Sequence, residues 1–282
     1  MKRIYPLIVC VLFSLGLKAQ APFPTAQEAK QFFVSKTCFV LEDDPFSQYN
    51  VFIKNVLKDS WTLTPYEVIG IEDFNLKRSD PSYSFIVLTE TYFEKDKSGS
   101  RFTFINLLLG KDVNELEEMP EFCAIPLAFA GTDDTEYVNK LGIILSFIQQ
   151  HTKLISQNPS VKGLKYLKYY NKYVPEAIKK IILVKAEDMD QSINTDEKIK
   201  KIYPYNMKVV SEEEIKQAIS SKAANTLILH KVGPVGENAK GYCIKMLIGT
   251  DDSRMYYYNQ HLVNDNSPDC FLLSDLKRLA RF

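Results

Sequence analysis

The sequence predicts an α/β (α+β) fold made of two tandem mixed-sheet sandwich units, an internal duplication, and three observations carry that prediction. Short apolar runs of strand length alternate with longer stretches whose apolar residues recur at helical spacing. One order of elements occurs twice, at an offset of roughly 140–147 residues that shortens to about 134 at the closing helix. The composition is that of an ordinary globular chain: 282 residues, 45% hydrophobic and 25% charged, with 11 Gly and 13 Pro. That length suits one large domain or two smaller ones, and it excludes disorder, collagen and a membrane bundle.

The first element is an export signal. Met1-Lys2-Arg3 precedes an apolar stretch over 4–17, and Lys18-Ala19-Gln20-Ala21 ends it in small residues, which reads as a signal peptide over 1–21. No later window approaches the roughly 20 apolar residues that cross a bilayer. The mature chain is therefore expected to be soluble and periplasmic or secreted. Cys10 follows Val9, not the small residue of a lipidation site. Export permits disulfides, and Cys38, Cys123, Cys243 and Cys270 allow three pairings. The apolar runs around Cys38, Cys123 and Cys243 favour buried thiols instead. No Cys/His spacing supports zinc.

The first unit is read over 22–158. Its strand at 36–41 leads into a helix at 45–58, which Asp44 would cap with Pro45 in the first helical position. Residues 61–67 follow, with Thr64 placed to cap a short helix at Pro65, and then strands at 84–88 and 103–109. A closing helix from Thr132 or Asp133 to Gln157 carries Tyr137, Leu141, Ile144, Leu145 and Ile148 on the face meant for the sheet. The second unit, 179–282, repeats this with strands at 180–184, 226–229 and 243–248 and a helical stretch at 196–202. Ser267-Pro268-Asp269 opens its final helix, with Leu272, Leu273, Leu276 and Leu279 as the apolar face. Each unit is expected to hold one early parallel crossover and late hairpins.

A linker helix over 159–178 joins the units. On a helical wheel, 161–174 sorts into a Leu/Val stripe, a Tyr stripe and a Lys stripe. The plain reading buries the first two between the units. The sharper one makes Lys165, Tyr169 and Lys172 a surface for an anionic glycan or lipid head group, which needs those tyrosines exposed. Charge is unequally shared: 22–158 holds 12 basic and 20 acidic residues, and 159–282 holds 20 and 15. Opposite net charges are expected to favour docking of one unit on the other.

Chemical signatures are sparse. There is no GxSxG, HExxH, P-loop or GxGxxG, and His151, His230 and His261 have no acid or nucleophile pattern beside them. Asp43 and Asp44 stand at the carboxyl end of the first strand, where α/β proteins place ligand sites, and a hydrolase could use such acids. Helix capping accounts for them more simply. Gly131-Thr132-Asp133-Asp134 and Gly249-Thr250-Asp251-Asp252 lack the oxygen pattern of a calcium loop and read as a cap and a turn. Trp61, the only tryptophan, is a core aromatic by default and, with Tyr66, a carbohydrate platform in the alternative. No cofactor, metal or nucleic acid is implied.

The strings Leu-Glu-Asp-Asp-Pro-Phe-Ser-Gln-Tyr-Asn and Trp-Thr-Leu-Thr-Pro-Tyr-Glu resemble secreted proteins of unknown function from Bacteroidetes-type bacteria. The signal ending in Lys-Ala-Gln is similar to theirs. The resemblance covers the first unit, implies a Gram-negative envelope and brings no activity with it. The element order also resembles the small α/β domain that precedes the Tol-system propeller and makes envelope protein contacts, an analogy of fold. The expected function is a non-enzymatic envelope module for interaction or assembly. A carbohydrate-active or other hydrolase using Asp43 or Asp44, and the glycan binder, are the alternatives.

Overall fold

The computed structural model describes residues 21–93, 96–158, 161, 166–235 and 239–282. The segment read as an export signal, 1–21, lies outside them except for Ala21. Among the described residues no helix is long and apolar enough to cross a membrane.

Two five-stranded mixed sheets carry the fold. The first is built from β1 (Lys36–Val40), β2 (Tyr66–Ile69), β3 (Tyr83–Tyr92), β4 (Arg101–Leu109) and β5 (Glu121–Phe129), in the spatial order β2-β1-β3-β4-β5. The second uses β6 (Ile181–Val184), β7 (Met207–Val209), β8 (Thr226–Val232), β9 (Tyr242–Gly249) and β10 (Met255–Leu262), in the order β7-β6-β8-β9-β10. Mapping β1 to β6, β2 to β7 and so on makes the two orders the same. In each sheet the first strand runs parallel to the second and third, and the last three strands are antiparallel. The pairs Thr37↔Ser84 and Ile182↔Leu227 put β3 and β8 in equivalent places. One topology is thus used twice, as the repeated element order predicts. Each unit has two helical crossovers where one was expected: α2 (Gln48–Ser60) and α3 (Ile71–Lys77) in the first, α6 (Asp196–Lys200) and α7 (Glu212–Ser220) in the second.

Strand alternation divides the core. Phe39, Ile86, Phe102 and Leu107 pack with Phe32 of α1 (Ala26–Val34) and with α2, whereas Cys38, Val40, Phe85 and Val87 turn to Phe74 of α3. On the second sheet Ile228, Ile244 and Met246 enter the same core as the first unit, and Leu227, Leu229 and Leu247 face Leu276 and Leu279 of α8 (Leu273–Leu279). The helix between the sheets is α4 (Leu141–Gln157), with Ile143, Ile144, Phe147, Ile148 and His151 all buried. A single apolar face was expected. The second unit covers the other side, so the helix is apolar around most of its girth.

Three local expectations are corrected. Asp44 does not cap α2: its carboxylate accepts from the Phe46 N–H at 2.9 Å, closing a turn, and Ser47 accepts from the Asn50 N–H as the N-cap. No helix forms at Pro65, because Thr64 Oγ accepts the Trp61 indole N–H at 3.1 Å and Pro65 O accepts from the Thr37 N–H. The backbone then continues into β2. The closing helix begins at Leu141, preceded by two 3-10 turns, the first capped by Asp133.

The connection between the units also departs from expectation. Its described part, Tyr166–Tyr173, is a 3-10 helix followed by the short α5 (Val174–Ala177). At three residues per turn Leu167, Tyr170 and Tyr173 align, and the first two are buried. The opposite net charges of the units do not dock them through direct ion pairs. Among the described residues no salt bridge joins 22–158 to 179–282. Apolar packing and hydrogen bonds do so, such as Gln150 to the Asp252 carbonyl at 2.7 Å and Asn139 to the Glu212 carboxylate at 3.1 Å.

Candidate functional site

The residues singled out in the sequence do not converge. Asp43 and Asp44 are exposed on the loop before α2, and Asp44 is occupied by its turn. Trp61 is 3% exposed and stacks edge-on against Phe39, so it offers no platform. Tyr66 contacts the same Phe39 from β2 and stays 36% exposed. Lys165 lies outside the described residues. Lys172 sits 3.7 Å from the centre of the Tyr169 ring and 4.9 Å from that of Tyr173. Arg254 also lies over Tyr173, at 4.3 Å. These cations occupy tyrosine faces that a sugar would need.

The sheet edges are more informative. A strand at an edge leaves every second N–H and C=O unpaired, and natural sheets blunt that hazard. At β10 the Asn171 carboxamide accepts from the Tyr258 N–H at 2.7 Å and donates to the Tyr258 carbonyl at 2.9 Å. At β7 the outward Val209 N–H donates to Asp196 Oδ1 at 2.8 Å. At β5 the Pro126 carbonyl accepts from His230 Nε2 at 2.9 Å, and Glu121 N–H pairs with the Pro22 carbonyl. Proline there removes one donor outright.

At β2 no comparable contact to the outward backbone groups is made among the described residues. Thr37 and Leu41 donate to the carbonyls of Pro65 and Ile69, so odd-numbered residues face β1. Tyr66 and Val68 therefore turn their backbone groups outward, and both side chains are 36% exposed. Ile71 and Leu76 of α3 are exposed as well. Glu67, on the opposite face, is held by Lys36 and Lys77, each at 2.7 Å, which pull its carboxyl down to about 2. That clamp fixes β2 while leaving its edge bare.

A second feature lies between the units, a cleft of about 590 Å³. The end of β5 and the 3-10 turns before α4 form one wall. Lys185, Asp188, Lys231 and Asp269 form the other. Lys185 is paired with Glu212 at 3.2 Å and Glu187 at 3.3 Å, and Lys231 with Asp269 at 2.5 Å. Burial pulls both ammonium groups down, and the neighbouring carboxylates outweigh it and raise them. Lys140 differs. It is 7% exposed, and no carboxylate lies within 4.0 Å of it among the described residues. Its Nζ donates to the Glu136 carbonyl at 3.3 Å. Burial lowers its pKa despite the pull of Glu212 and Asp188.

Sequence reasoning missed Lys140, although a signal was there. It falls three residues after Tyr137 and four before Ile144, on the apolar stripe of the closing helix. The open edge had no sequence signal, since pairing order decides which strand is outermost. No family model, curated protein or solved structure matches the chain.

Proposed function

We propose that the protein is a non-enzymatic interaction module of the cell envelope, and that its partner adds an extended segment to the β2 edge. The observation that supports this reading is the contrast among four outer strands: β5, β7 and β10 each have at least one outward backbone group engaged, and β2 has none among the described residues. Main-chain hydrogen bonds to Tyr66 and Val68 would supply affinity, and their exposed side chains selectivity. The export signal read in the sequence supports the envelope part of this reading.

The test is capture of envelope proteins by the immobilised mature chain and two variants. Val68→Pro deletes the outward N–H at an edge position where proline is sterically allowed, and Val68→Thr retains it. Loss of a captured protein with Val68→Pro and its retention with Val68→Thr is the expected result. Equal capture by wild type and Val68→Pro, with circular dichroism showing both folded, overturns strand addition.

A further inference from the structure

We propose that the cleft between the units is a binding site for a small zwitterion of amino-acid or dipeptide size, its carboxylate received by Lys140 and its ammonium by Glu136. The volume of about 590 Å³ lies within the range of small-molecule sites. A buried cation with no carboxylate in contact is costly, and Lys140, on which Glu212 and Asp188 act without touching it, is such a group at the cleft wall among the described residues. Glu136 is its natural partner, four residues away, yet no ion pair forms. The two residues belong to successive 3-10 turns and not to one α-helix. Positions four apart then diverge by about 120°. Lys140 is buried, and among the described residues its Nζ donates to the Glu136 carbonyl and to no carboxylate, while Glu136 stays exposed at the rim.

The remaining charges decide the ligand class. Lys185 and Lys231 are neutralised by Asp188, Asp269 and Glu212, and Asp133 is engaged by Thr135. A polyanion would meet those carboxylates and find one available cation. A zwitterion completes both Lys140 and Glu136. Thr132, in the same wall, has a buried hydroxyl with no partner among the described residues, a further hydrogen-bonding group for the carboxylate end.

The experiment is calorimetric titration of the mature protein with L-alanyl-L-alanine, its N-acetyl derivative and its C-terminal amide. Saturable binding of the dipeptide is expected, about ten-fold weaker or worse for the amide and for Lys140→Met, and weaker by a smaller factor for the N-acetyl derivative and for Glu136→Gln. Lys140→Met replaces a buried charge that no carboxylate contacts with an apolar chain of similar length, so the fold should survive, and a thermal melt checks this. No binding of the dipeptide, or unchanged affinity in folded Lys140→Met, overturns the site. Equal affinity for the dipeptide and its N-acetyl derivative overturns the zwitterion.

Discussion

Lys245 of β9 and Asp275 of α8 meet at 2.6 Å in the interior of the second unit, their side chains 0% and 1% exposed. The same carboxylate accepts from Tyr257 OH and Asn259 Nδ2, each at 2.6 Å, and from the Leu272 N–H at 2.9 Å. Lys245 also donates to His261 Nδ1 at 2.8 Å. The pair pins the last helix to its sheet. Removing one partner strands a buried charge, so Asp275→Ala should lose about 3–5 kcal/mol. Lys245→Met with Asp275→Leu should recover much of that. Urea denaturation of the three proteins measures it, and a double variant no better than the single one would contradict the account.

Helix α2 provides a test of capping. Ser47 accepts from the Asn50 N–H at 3.2 Å and donates to Glu42 at 2.6 Å. Ser47→Ala should therefore cost about 0.5–2 kcal/mol. Asp44→Ala should cost less, because it loses only a turn bond. Denaturant midpoints of the two variants decide the order.

Stability should fall in mild acid. Burial pushes His151 and His230 down to about 3, and each is neutral in the folded state. The unfolded chain takes up protons near the ordinary histidine value of about 6.5. The stabilisation is therefore complete above that pH and is lost progressively as the pH falls toward 3, at up to about 1.4 kcal/mol per unit for each histidine. His230→Gln, which keeps a donor for Pro126, should flatten the slope between pH 6.5 and 4.5. Urea midpoints at several pH values measure this; an unchanged slope would mean His230 does not contribute.

Asn171→Ala should expose the edge of β10. The Tyr258 N–H loses its acceptor, and its hydrogen exchange should accelerate while amides within the β8–β9 ladder keep their protection. The loss of stability should be about 1 kcal/mol. Exchange followed by mass spectrometry or NMR would show it, and unaltered exchange at Tyr258 would mean the carboxamide does not close the edge.

Particular residues show how much could be read from the chain alone. The strand at β1 and its counterpart at β6, the long apolar stripe of α4 and the spacing between the halves were all legible, because each depends on neighbours within one or two turns. The burial of Cys38, Cys123 and Cys243 followed from their apolar neighbours, and none of the four described cysteines is in a disulfide. Ser47 and Asp44 are both competent caps three residues apart. Local pattern could not choose between them; the choice came from the turn that Asp44 makes with Phe46.

The sequence by itself determined the kind and order of the elements, because periodic burial, turns and caps act over a few residues. Only the tertiary structure decided which strand became a bare edge. It also placed Lys140 beside Lys185 and Lys231, residues from distant parts of the chain, and enclosed α4 on its second side. These are long-range outcomes of how two copies of one topology pack against each other. A lysine at position 140 has the same local surroundings whether it ends in water or in a cleft, and packing of the second unit put it in the cleft.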